Sequence, residues 1–135
     1  MAIESGIGWT TYAVDDAGGV ARNLADRLTQ ASFNTTVGIQ DITTLDLSAR
    51  ATLPLIADLQ DSFSVLFDDA ANSSFDVLKT VGSTSGPRTI TRTHSGQTLP
   101  SESNLSSVNT SRTQSGEFTF AVSAVLQDGT VPTWA

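Results

Sequence analysis

A chain of 135 residues with seven basic and 14 acidic side chains, one histidine and no cysteine carries a formal net charge of −7. That length suits one domain with its own core. The missing thiols exclude a disulfide framework and a Cys-based metal site, and the acidic balance argues against a surface that grips nucleic acid, which needs clustered Lys and Arg.

In chain order, MAIESGIGWTTY lacks the basic and apolar segments of a secretory signal. No apolar run approaches the roughly 18 residues that cross a bilayer. The chain is expected to start near Met1, to be soluble and to have no membrane partner. The run 8–14 (GWTTYAV) reads as a strand, and DDAGG at 15–19 as a turn whose glycines supply positive φ. Leu24, Leu28 and Ala31 fit a short helix, while LTQASFNTT fits a strand. The β-formers Thr29, Phe33, Thr35, Thr36 and Val37 favour extended structure for the second half.

Residues 38–58 (GIQDITTLDLSARATLPLIAD) read as a long loop, with a possible strand in IQDITTL and a helical turn in SARATLP ended by Pro54. A connection of that length is usually functional. Leu45, Leu47, Leu53, Leu55 and Ile56 make it apolar enough to need a cover, and it is expected to order on assembly. DSFSVLF at 61–67 alternates as a strand. A helix is expected over 72–82 (NSSFDVLKTVG), with Asn72 or Ser73 capping, Asp76 completing a capping box, and Phe75, Leu78 and Val81 as its apolar stripe. Lys79 stands near its end and Gly82 stops it.

Four short strands follow, 88–93, 97–103, 105–112 and 117–126, with turns at Ser95-Gly96 and Ser115-Gly116. Arg88 and Arg92 are expected to project from the face opposite Ile90, as an intersubunit ion pair or as solvated side chains. The last strand has two faces. Phe118, Phe120, Val122, Ala124 and Leu126 alternate with Thr119, Ala121, Ser123 and Val125, and the second set is small and weakly polar. An outer face on a lone sandwich usually carries charge, so this one is expected to be covered by other copies of the chain. The element order gives an α+β class, mainly β, as an antiparallel β-sandwich or partly closed barrel with one flanking α-helix, in a single domain over 1–135.

Catalytic chemistry has little to work with. His94 is the only histidine and sits beside a turn, so a triad would depend on it alone. Asp15-Asp16 and Asp68-Asp69 lack the spacing that wraps a loop around calcium. No catalytic, cofactor or metal residue is assigned, and no enzyme activity or cofactor is expected.

Four features in order carry a resemblance: a DIT-type segment leading to SAR, a strand ending in FDDAAN, a capped FDVLKTV helix, and a closing SGEFTFAV strand with a DG turn. Together they resemble the major tail tube proteins of long, non-contractile-tailed (siphovirus-type) bacteriophages, over most of the chain. The resemblance implies hexameric rings stacked into a tube, whose lumen conducts DNA during infection without binding it specifically. It further implies tape measure, tail tip and tail terminator proteins as partners, assembly in the host cytoplasm and residence in the virion tail. Six copies at −7 make a ring of about −42, so repulsion of phosphates is the expected means of passage. The expected subunit contacts are Leu45, Leu47, Arg50, Leu53, Leu55, Ile56, Arg88, Arg92, Thr119, Ala121, Ser123 and Val125. The rival reading is a standalone β-rich virion binding module, a decoration or receptor-binding domain, with Trp9, Tyr12 and Trp134 as its candidate aromatics.

Overall fold

A computed structural model describes residues 9–81 and 86–135. Seven strands and one helix follow in chain order: β1 (Thr11–Asp15), β2 (Ala21–Asn23), β3 (Leu28–Asp41), β4 (Thr52–Leu66), α1 (Ser74–Leu78), β5 (Arg88–His94), β6 (Gln97–Arg112) and β7 (Phe118–Leu126). All seven strands join one antiparallel sheet in the order β2-β1-β5-β6-β7-β4-β3. Of the two expected arrangements, the two-sheet sandwich is corrected to a single sheet with one short helix. Its ends, β2 and β3, stay unpaired with each other among the described residues, so the barrel is not closed.

The sheet curls so that β1 and β5 face β3 and β4 across the core. Tyr12 of β1 meets Phe63 of β4 at 5.2 Å between ring centroids. The core comprises Tyr12, Val14, Leu24, Phe63, Val65, Ile90, Phe120 and Val122, with Val77 and Leu78 of α1 closing its open side. Every strand member of that set is an inward residue of a period-two pattern, which is why alternation in the sequence locates it.

The turn 15–19 forms as expected: the Asp16 carboxylate accepts from the N–H groups of Gly18 and Val20 at 2.9 and 3.0 Å, and Gly19 has φ 80°. Ser95 and Gly96, at φ 53° and 79°, make the β5–β6 hairpin turn. The two expected strands 97–103 and 105–112 are one strand, β6, which a bulge between Leu105 and Ser107 bends without breaking. The helix is shorter than its periodicity suggests. It spans Ser74–Leu78; Ser73 occupies the N-cap without a side-chain cap bond. Asp76 accepts from the Asn72 N–H at 2.9 Å, one residue before the cap, while the Ser73 N–H goes to the Ala70 carbonyl, so the expected capping box does not form. Gly82 lies outside the described residues.

Residues 38–58 are corrected from a long loop to most of a hairpin. β3 runs on to Asp41 and β4 begins at Thr52, paired through Val37–Ala57, Ile39–Pro54 and Asp41–Thr52. Only 42–51 connects them. The ladder slips between Val37 and Ile39, where β4 carries an extra residue. Gly38 sits opposite, and a Cβ there would come within 3.3 Å of the Leu55 Cβ. Pro54 is tolerated because β4 has no strand on its other side at that level: its pairing with β7 begins at Gln60.

Candidate assembly surfaces

Three surfaces stand out. The first is the β3–β4 arm, where the sheet narrows to two strands beyond Gln60. A two-stranded ribbon with no second layer packed on it leaves both faces open. Leu45 at its tip is fully exposed, Ile56 is 89% exposed, and Leu47, Leu53 and Leu55 are each about half exposed. Arg50 points to solvent and pairs with Asp41 at 3.4 Å. All six contact residues expected on this segment are thus brought together on the arm. Val37, Ile39 and Ile42 join them; the alternation of Phe33, Thr35, Val37 and Ile39 is the signal that extends β3 to Asp41 and that a loop reading discards.

The second surface is the outer face of the broad sheet. Residues aligned across β3, β4, β7 and β6 form three rows: Asn34, Gln60, Val125 and Asn104; Ser32, Ser62, Ser123 and Ser107; Gln30, Ser64, Ala121 and Asn109. These rows contain no Asp, Glu, Lys or Arg, and all but the partly buried Ser64 and Ala121 are exposed. Thr119 lies in the next row, opposite Leu66 and Ser111. The two-faced reading of β7 is thus correct for burial: Phe120, Val122 and Ala124 are buried, whereas Ser123 and Val125 are exposed. A shallow groove of about 370 Å³ runs along this face beside Ser32, Asn34, Ser62 and Ser123; the one charged residue that lines it, Asp61, is buried and paired with Arg92.

The third is an aromatic cavity at the foot of the arm. Trp9, Phe33, His94 and Trp134 surround about 380 Å³, with Ser95 and Gln97 at its edge. Trp9 lies 5.2 Å from His94, and Phe33 lies 5.9 Å from Trp134 between centroids. Reciprocal backbone bonds between Ala135 and Thr98, at 2.8 and 2.9 Å, hold the C-terminal segment there. No period in the sequence links these four residues; curling of the sheet gathers them.

Arg88 and Arg92 are corrected. Residues 88, 90 and 92 share one face of a strand, and that face is the buried one, so both arginines lie beside Ile90 rather than opposite it. Arg88 donates to the Val77 carbonyl at 2.5 Å and to Thr80 at 2.9 Å, tying β5 to the helix. Arg92 is wholly buried and forms an ion pair with Asp61, itself 4% exposed. The Tyr12 hydroxyl donates to the same carboxylate at 3.1 Å, and the guanidinium lies 4.8 Å over the Phe33 ring. Burial lowers the pKa of both arginines and raises that of Tyr12, the nearby Arg92 charge opposing the rise. Tyr12 is therefore a core residue and not a surface aromatic. Neither arginine is offered to another subunit.

No group of His, Asp and Glu suited to a metal occurs among the described residues. Asp15 and Asp16 serve the β1–β2 turn and its surroundings, and Asp68 accepts from Arg27 at 2.5 Å and from the Ala70 N–H at 3.0 Å.

No protein-family profile and no curated protein matches the sequence. Solved structures do. A chain in the tail of an empty gene transfer agent particle, determined with C6 symmetry, superposes with a TM-score of 0.75 at 13% identity, over 98% of this chain and 99% of that one. Its fold is that of a gene transfer agent tail chain. A chain from the virion of a native gene transfer agent gives a TM-score of 0.74 at 12% identity, over 97% and 99%. The tail-chain fold thus spans both molecules nearly end to end, arm included.

Proposed function

We propose that the chain is a structural subunit of a virion tail, forming six-membered rings that stack into a tube. The observation that carries this is the end-to-end likeness to a chain of a C6-symmetric tail. Two properties of the free subunit support it. The sheet ends at two open edges, β2 and β3, and β3 runs 14 residues; open edges of that length invite pairing with another copy. The arm exposes leucines and isoleucines on a ribbon that buries neither face, a surface that gains by contact with an adjacent ring. A head-to-tail contact of two different surfaces closes into rings when the rotation allows and otherwise propagates. In this reading the arm orders on assembly, and the lumen conducts DNA. Tape measure, tail tip and tail terminator proteins are its further partners, assembly takes place in the host cytoplasm, and the tube is of the non-contractile, siphovirus type.

Electron micrographs of concentrated protein, alone and with a tail-tip partner, test the proposal. Hollow tubes with six-fold end views are expected. Monodisperse globules under every condition, partner included, would sink it.

The aromatic cavity favours a second reading, a standalone virion binding module in which Trp9, Phe33 and Trp134 seat a partner. That reading predicts fixed stoichiometry without polymerisation, and binding lost in Trp134→Ala.

A further inference from the structure

The broad sheet's outer face has an unusual chemistry for exposed protein surface. Such surfaces are ordinarily a quarter to a third charged, with both signs interspersed. The three rows across β3, β4, β7 and β6 carry none, although the chain has 14 acidic and seven basic residues to place. The same rows hold no aromatic residue and no aliphatic side chain larger than Val125. A face meant to be covered by another copy would show apolar anchors or ion pairs at its centre. This one centres on four aligned serines, Ser32, Ser62, Ser123 and Ser107, flanked by amides. Its acids begin only at the margin: Asp58 is one row beyond Gln60 on the arm, and Glu102 is held by the Thr89 hydroxyl at 2.8 Å.

We infer that this uncharged hydroxyl-and-amide face lines the channel and that duplex DNA passes along it as a neutral, hydrated surface. The inference rests on the tube reading above and assigns its lumen. It replaces repulsion by a ring of about −42 as the means of passage, because the acids lie off this face. Binding of duplex DNA draws most of its strength from cations that displace phosphate counterions. A face with neither cations nor anions makes no such site and raises no electrostatic barrier. The Ser, Asn and Gln side chains of these rows keep first-shell water that can exchange along the phosphates. The curl of the sheet agrees: α1 and the core occupy its inner side, leaving this side open across four strands.

The absence of cysteine makes the test clean. Ser62→Cys and Ser123→Cys are made singly, with Asn109→Cys in reserve if either fails to assemble. Each is treated with a small maleimide and with one carried on a polymer too wide for the channel. Free subunits should react with both reagents. Assembled tubes should react with the small reagent alone. Reaction with both in the tube would place the face outside, and reaction with neither would place it between copies; either overturns the inference while leaving the tube itself standing. Absence of tubes from the native chain would instead defeat the tube reading, and this inference with it. The charge claim has its own arm. Tubes of Ser123→Lys should retain a short duplex at least ~10-fold more than native tubes, with retention falling steeply with salt, whereas Ser123→Asp tubes should match native ones. Native tubes that already hold duplex in a salt-dependent way would overturn it, as would Ser123→Lys tubes that hold no more.

Discussion

Arg92 and Asp61 show how one pair of residues decides what a strand can be used for. Both side chains are removed from water, so each charge is held by the other and by the Tyr12 hydroxyl. Removing one partner leaves a buried charge alone, which typically costs about 3–5 kcal/mol. Arg92→Met is therefore expected to lower unfolding free energy by about that amount in a denaturant titration, with Asp61→Leu alone doing similar damage. The double variant should recover much of the loss, because a well-packed apolar pair replaces a buried ion pair at little cost. At Gly96, φ 79° belongs to the left-handed region. Gly96→Ala should cost about 1–2 kcal/mol by the same measurement without changing assembly.

The turn before β2 and the segment leading to α1 carry the element-scale acid response. The Asp16 carboxyl is held below its ordinary range chiefly by the Val20 N–H, and by Arg22 and the Gly18 N–H. Asp68 is lowered by the Ala70 N–H, then by Arg27. A carboxyl whose folded pKa lies below its unfolded value stabilises the fold above that value, about 3.9 for Asp, and stops doing so as pH falls through the folded pKa. Stability should thus decline with acid below about pH 4, and Asp16→Asn should flatten part of that slope in thermal melts at graded pH.

The arm belongs to this scale too. None of its residues beyond Leu59 is in the buried core. Replacing 38–56 by a short turn is expected to leave the melting temperature of the free subunit nearly unchanged while abolishing tubes. Arm amides should exchange rapidly in the subunit and be protected in the tube; equal protection in both states would remove the idea that assembly covers the arm.

At the scale of the whole molecule, the curled sheet separates three kinds of surface. Its inner side is apolar and closed by α1, its outer side is polar and uncharged, and its two-stranded extension is apolar and uncovered. His94 stands at the end of β5 beside the aromatic cavity. The ring packs on Trp9, and its nitrogens meet no hydrogen-bond partner. His94→Ala should therefore leave tube formation intact by electron microscopy.

The sequence by itself located β1, β5, β7, the inner parts of β3 and β4, the turns and the two faces of β7, because alternation of period two and positive-φ residues are local signals that survive without tertiary context. It also marked the leucines of the arm as needing a cover. Three matters were decided only by the tertiary structure. The arm is a hairpin and not a loop because β3 and β4 pair across an interrupted pattern, and the extra residue in β4 opposite Gly38 hides the alternation from a reading along one strand. Arg88 and Arg92 are buried because they share the face of Ile90, which the sheet folds onto Asp61, Val77 and Thr80, and not the opposite face as expected. The neutral outer face exists only as a register of four strands, since no short stretch of sequence holds more than a few of its residues. Which side chains become neighbours across a sheet is set by pairing and curvature, and those depend on the whole chain at once.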